Sequence, residues 1–139
     1  MILDIVMRFL HILSAVTLVG GALLWRFGTI PALEPLSADV KTKVGNAVAA
    51  AWRPVILTAM VGVLLSGMYQ YMNMKNVPSA WHAVIGVKFL GVLHLFAVGF
   101  LVTGQNNEKR SRQLTGIVIS GVLVIILAAV LRYLSSSTI

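Results

Sequence analysis

Apolar residues occur along the chain in four long runs, which are separated by short polar connections. The runs cover residues 2–25, 52–71, 81–104 and 114–133. Each run is long enough to cross a bilayer, which takes about 20 apolar residues at about 1.5 Å per residue. Because backbone amides in hydrocarbon have to be satisfied within their own segment, each run is predicted to be a helix. Short connections make successive helices antiparallel, so the pattern predicts an all-α, integral membrane four-helix bundle with up-down-up-down topology, forming one domain over residues 1–139.

The longest connection covers residues 26–51. Ser37 within it is a candidate helix cap, which predicts a short helix that leads into the second run. Two pairs of small residues, each four positions apart, are expected to let neighbouring helices approach closely. These pairs are Gly62/Ser66 and Gly116/Ser120.

Composition supports the same class of protein. Hydrophobic residues make up 58% of the 139 residues and charged residues only 11%, whereas a soluble domain has about 25% charged residues. A soluble globular enzyme is therefore excluded, and a lipid bilayer is the expected surrounding. The absence of cysteine excludes disulfides, thiolate metal sites and iron–sulfur clusters.

The net charge of +7 is scattered between the apolar runs, which indicates membrane topology rather than a nucleic-acid partner. Positive residues collect on the cytoplasmic side of membrane proteins. Seven of the 11 Lys and Arg residues lie within or next to the first and third connections. We therefore expect residues 26–51 and 105–113 to be cytoplasmic and both termini to lie outside, in a multi-pass protein of the inner (plasma) membrane. The seven are Arg26, Lys41, Lys43, Arg53, Lys109, Arg110 and Arg112.

Two of the three histidines, His11 and His94, lie inside apolar runs. An ionisable group within the membrane is a functional candidate. The two are about 14 and 20 Å from the predicted outer ends of their helices. Since the first and third helices run in the same direction, both imidazoles fall in the middle of the membrane. This placement favours bis-histidine ligation of a b-type haem between the two helices. The alternative is that each imidazole is only hydrogen-bonded to a neighbouring helix.

The neighbouring residues suit such a site. Gly91 leaves room for a flat macrocycle on the second ligand's helix, and Ser14 is placed to accept the second N–H of the first imidazole. Arg8 and Lys88 lie on the outer side of the two histidines. Long basic side chains there are expected to pair with the haem propionates.

A second candidate site lies at the predicted outer rim, where thioethers and one imidazole occur together. Such ligands suit a soft cation, Cu(I) above all, although methionines also serve as ordinary apolar lining. The acidic residues all fall in connections or at the start of the chain, so any chemistry has to come from a cofactor. The candidate copper ligands are Met68, Met72, Met74 and His82.

The run that begins His11-Ile-Leu-Ser and ends Gly-Gly-Ala-Leu-Leu-Trp-Arg26 resembles the opening helix of the copper-resistance protein D (CopD) family and of HemJ-type protoporphyrinogen oxidases. The segment from Trp81 through Lys88 to His94 resembles a later helix of the HemJ-type proteins. The resemblance implies a four-helix inner-membrane protein that binds haem b. It also implies that His11 is an axial ligand, with Arg26, Lys88 and His94 as associated site residues.

The leading hypothesis from the sequence is therefore a membrane cytochrome of b type, with His11 and His94 as axial ligands. It would pass electrons between a quinol or a partner oxidoreductase and an acceptor, or carry out HemJ-like porphyrinogen oxidation. Two alternatives stay open. One is a CopD-like copper-handling protein, and the other is a structural subunit of a larger membrane complex or a homo-oligomer.

Overall fold

A computed structural model describes residues 1–136 of the chain. Within that range the chain forms five α-helices, and a single π-helical turn at Trp25–Thr29 joins the first two. The helices are α1 (Ile2–Leu24), α2 (Ile30–Leu33), α3 (Ala38–Met72), α4 (Ser79–Val102) and α5 (Arg110–Ser136).

Four helical segments of the described chain are long and apolar enough to cross a membrane. Three of them are α3, α4 and α5, and the fourth consists of α1, the π-helical turn and α2, which together form one 32-residue segment. Large apolar side chains cover their outer faces, with Phe9, Leu90 and Ile119 exposing 65%, 67% and 65% of their surface. Apolar exposure on this scale matches contact with lipid rather than water. The predicted all-α membrane bundle is confirmed.

The helices pack in two pairs. α1 packs along α3, α4 packs along α5, and the pairs are joined mainly where α1 meets α5. α3 and α4 touch much less, and α1 and α4 are not among the closely packed pairs. This is the neighbour pattern of an up-down-up-down bundle, in which the first and third spans lie diagonally across the centre.

Small residues determine how closely α1 and α3 approach. Gly62 and Ser66 of α3 are both buried, and a Cβ added at Gly62 would overlap Ser14 of α1. Further along the same pair, a Cβ at Gly21 would overlap the indole of Trp52. Since lipid is as apolar as the helix surfaces, close packing of this kind drives the association of membrane helices.

The first two membrane helices are longer than the sequence pattern predicts. The first was expected to end at residue 25 but continues through the π-helical turn to Leu33. Pro31 does not stop it, and lies in the first turn of α2 directly after the π-helical turn. The short helix expected before the second span exists as the start of one 35-residue helix, α3.

Arg110 connects the end of α4 to the start of α5 through hydrogen bonds. Its side chain is only 9% exposed. Nε donates to the Val102 carbonyl at 3.2 Å and Nη2 donates to the Gly104 carbonyl at 2.6 Å, which satisfies carbonyls that the end of α4 leaves unpaired. The guanidinium carbon also lies 5.5 Å from the Trp25 ring centroid. Nη1 would lie 2.5 Å from a Cβ at Gly45, so a side chain at this position would displace the guanidinium.

We expect Arg110→Ala to destabilise the bundle strongly. Hydrogen bonds from charged groups contribute about 1.5–3 kcal/mol each, and the variant leaves buried carbonyls unpaired. Arg112→Ala is the matched control, because Arg112 is exposed and two residues away. Thermal unfolding in detergent, followed by circular dichroism, should show a clear loss of Tm in Arg110→Ala alone. Equal Tm values for the two variants would contradict this role for Arg110.

Candidate functional site

A cavity of about 360 Å³ opens at the opposite end of the bundle from Arg110. This is the end where α1 and α4 begin and where α3 and α5 stop. All four membrane-length segments contribute to its lining. Its volume is within the range of small-molecule and cofactor sites, about 300–1,000 Å³.

His11 lines this cavity from α1. Its Nδ1 is 2.9 Å from Oγ of Ser66, which is completely buried on α3. The Ser66 hydroxyl has one proton, and its shortest hydrogen bond, at 2.5 Å, runs to the Gly62 carbonyl. With that proton directed to Gly62, Ser66 is expected to accept from Nδ1–H of His11, which predicts that neutral His11 has its proton on Nδ1 and its lone pair on Nε2. An imidazole oriented in this way by an outer hydrogen bond is ready to ligate a metal.

Three cations line the same cavity: Arg8 from α1, Lys88 from α4 and Arg132 from α5. None of the lining side chains in residues 1–136 is acidic. Asp4, on the same end of α1, is held instead by the Tyr69 hydroxyl at 2.8 Å and by the N-terminal amine at 2.9 Å. The cavity is therefore electropositive. Arg8 and Lys88 lie where the sequence predicted them, whereas Arg132 was considered there only as part of the topological charge count.

Two nitrogen atoms that donate hydrogen bonds face no acceptor in this region. Nε1 of Trp81 and Nε2 of Gln70 are buried and have no partner among the described residues, and both side chains line the cavity. Trp81 itself is only 3% exposed and stacks on Tyr71 with the ring centroids 5.9 Å apart. Buried donors nearly always have a partner, so these two mark a place for an acceptor.

His94 lies outside the cavity. Its Nδ1 is 2.7 Å from Oγ of Ser120 on α5, at an exposed position, and a Cβ at Gly116 would lie 3.9 Å from its Cε1. The second pair of small residues thus borders this histidine between α4 and α5. In the described chain, His94 is hydrogen-bonded across helices, while only His11 reaches the cavity.

Three other predicted site residues lie elsewhere. Ser14 is buried against α3 and is not the partner of the imidazole, since Ser66 takes that place. Gly91 faces α5, where a Cβ would come within 2.9 Å of Val124. Arg26 lies at the far end, where Nε donates to Thr115 at 2.9 Å. Ser14 and Gly91 lie at the predicted positions along their helices but on a different face, whereas Arg26 is separated from the cavity by the length of α1.

The predicted copper ligands divide into two groups. Met68 and Met74 line the cavity beside His11. Met72 is 75% exposed and is not part of the lining, and His82 meets the edge of Trp81 with the ring centroids 5.5 Å apart. Over residues 1–136 no group of three or more His, Cys, Asp or Glu side chains converges. The four predicted ligands therefore do not form one cluster at the rim.

The fold and site define the chain as an all-helical membrane protein with an electropositive cavity open at one end of the bundle. Comparison with protein-family models, with curated proteins and with solved structures finds no match for the chain. The resemblance to CopD and HemJ-type proteins therefore stays a prediction.

The Ser66 hydrogen bond predicts that neutral His11 carries its proton on Nδ1. ¹⁵N NMR of histidine-labelled protein distinguishes the two tautomers, and we expect Ser66→Ala to remove the preference at His11. Ser120→Ala is the matched control, because Ser120 contacts His94 in the same way. A His11 protonated on Nε2 in the unmodified protein would show that Ser66 does not set the tautomer.

Proposed function

We propose that the chain is a membrane cytochrome of b type that holds haem b in this cavity, with His11 as an axial ligand of the iron. The observation that carries the proposal is a cavity-lining imidazole whose Nδ1 is hydrogen-bonded to the buried Ser66 hydroxyl, which leaves Nε2 as the nitrogen expected to bind iron. Haem iron accepts such a neutral imidazole, and the identity of its axial ligands tunes its reduction potential.

The rest of the cavity suits the two ends of a haem. Haem has an apolar macrocycle and two carboxylates. Apolar residues such as Val63, Ile85 and Val92 line the cavity together with the cations. Arg8 lies one turn nearer the open end of α1 than His11 and is placed to bind a propionate in bidentate fashion. Lys88 approaches from α4 and offers a second positive charge.

The sequence predicts a haem between the first and third spans, and on the α1 side this prediction is supported by His11, which lines the cavity. On the α4 side, His94 is hydrogen-bonded to Ser120 outside the cavity. We therefore propose that His11 is the only histidine ligand. Met68 lines the cavity, and its thioether is a ligand type that occurs opposite histidine in cytochromes.

Bound haem iron would supply one-electron chemistry. The protein residues would hold the iron and its carboxylates within the bundle, while lipid surrounds the outer faces. We propose electron transfer from a quinol or a partner oxidoreductase, with HemJ-like porphyrinogen oxidation as a specialised form of the same activity. We also propose the inner (plasma) membrane, with both termini and the cavity mouth on the outer side, on the basis of the distribution of Lys and Arg.

We expect purified protein that was expressed with ample haem to show a Soret band that shifts on reduction with dithionite. His11→Ala should lose the band, because it removes the only imidazole that lines the cavity. His94→Ala is the matched control and should keep it. If both variants lose the band, the iron has two histidine ligands, as the sequence alone predicts. A colourless protein with intact fold would contradict the haem proposal.

Copper handling is the second candidate, favoured by the two thioethers that share the cavity with His11. It predicts a colourless protein that retains Cu(I) stoichiometrically. The double variant Met68→Leu/Met74→Leu should then lose the metal. Met72→Leu is the control, because Met72 is exposed outside the cavity. A structural subunit of a larger complex would bind neither haem nor copper.

A further inference from the structure

We infer that Gln70, Trp81 and Arg132 recognise the acidic groups of the ligand that occupies the cavity. The inference rests on the proposed function in taking that ligand to be a porphyrin with carboxylates along one edge. It assigns the selection of the ligand to side chains that do not contact iron.

The unpartnered donors are the first observation. Trp81 is only 3% exposed, yet its Nε1–H has no acceptor in the described chain. Nε2 of Gln70 is also buried and without an acceptor there. Leaving a buried N–H unpaired is costly, so an acceptor oxygen at this place stabilises the bound state. Both residues line the cavity, and we infer that a ligand inside it supplies that oxygen.

Charge is the second observation. Arg132 lines the cavity from α5 and joins Arg8 and Lys88 there, and no lining side chain between residues 1 and 136 is a carboxylate. A neutral acceptor would satisfy the two N–H groups but would leave this positive charge unmatched. An acidic group satisfies both requirements, because charge-assisted hydrogen bonds are about twice as strong as neutral ones.

Position along the helices is the third observation. Gln70 is two residues from the end of α3, Trp81 is two residues from the start of α4, and Arg132 is four residues from the end of α5. At about 1.5 Å per residue, they lie about 3 to 6 Å from their helix ends. His11, nine residues into α1, lies about 14 Å from its own. Gln70, Trp81 and Arg132 therefore lie nearer the helix ends than His11 does. This arrangement fits a ligand whose acidic groups lie at one edge of an apolar body.

Iron-free protoporphyrin IX and its dimethyl ester test the inference, because neither can be ligated by His11. Saturable binding to the detergent-solubilised full chain is followed by porphyrin fluorescence. We expect the diacid to bind about tenfold or more tightly than the ester, the scale of one lost hydrogen bond to a charged group. Trp81→Phe, Gln70→Leu and Arg132→Gln should each weaken diacid binding by about that factor and leave ester binding unchanged.

Two matched controls make the same chemical changes away from the cavity. Trp52→Phe alters an indole that packs on Gly21, and Arg112→Gln alters an exposed cation. Both should bind the diacid as the unmodified protein does. Because Arg132 is also exposed, Arg132→Gln is not expected to unfold the bundle and remains informative if the Trp81 variant does not fold.

Equal binding of diacid and ester by the unmodified protein would overturn the inference, and so would recognition variants that behave like the controls. The proposed function is tested separately by the Soret band and its dependence on His11. A diacid preference without a His11-dependent Soret band would retain the recognition site and remove the cytochrome. Failure of the unmodified protein to bind either porphyrin would overturn the inference, and the Soret band would still decide whether the protein is a cytochrome.

Discussion

The organisation of this bundle depends on one constraint, which is that polar groups placed in hydrocarbon have to find partners within the protein. Ser66 returns its proton to the Gly62 carbonyl of its own helix and accepts from His11 on the neighbouring one. Arg110 donates to the last carbonyls of α4. In each case a backbone carbonyl takes part, so the polar side chains are oriented by the helices themselves and hold neighbouring helices in register.

The same constraint distinguishes the two ends of the molecule. At the Arg110 end, the guanidinium contacts backbone carbonyls and the Trp25 ring, and it packs directly against Gly45. At the other end, cations and buried N–H groups surround a cavity that contains no acidic side chain of the described chain. One end therefore satisfies its polar groups within the protein, whereas at the other end Nε1 of Trp81 and Nε2 of Gln70 have no partner among the described residues.

The sequence predicts four segments long enough to span a membrane, and it predicts how deep His11, Arg8 and Lys88 lie in the bundle. Each of these depends only on position along a helix. The rotation of each helix does not follow. In a soluble helix, an apolar stripe shows which face is inside, but here the lipid-facing and inward faces are both apolar. This is why Ser14, rather than Ser66, was predicted beside His11 and why Gly91 was expected to face the haem. The sequence indicated Arg110 only as a positive charge near a helix start, and the adjoining carbonyls of α4 explain why it is buried.

The two histidines differ in the hydrogen bonding of the serine that contacts each imidazole. Both have a serine at Nδ1, at 2.9 Å for His11 and 2.7 Å for His94. At His11 the serine hydroxyl is directed to the Gly62 carbonyl, so the imidazole is expected to donate from Nδ1 and to keep its lone pair on Nε2. At His94 no described residue takes the Ser120 proton, so the hydroxyl can donate or accept and the tautomer is not determined. The difference arises from a carbonyl four residues back along α3, which favours one tautomer at His11, whereas no described residue makes the corresponding contact with Ser120.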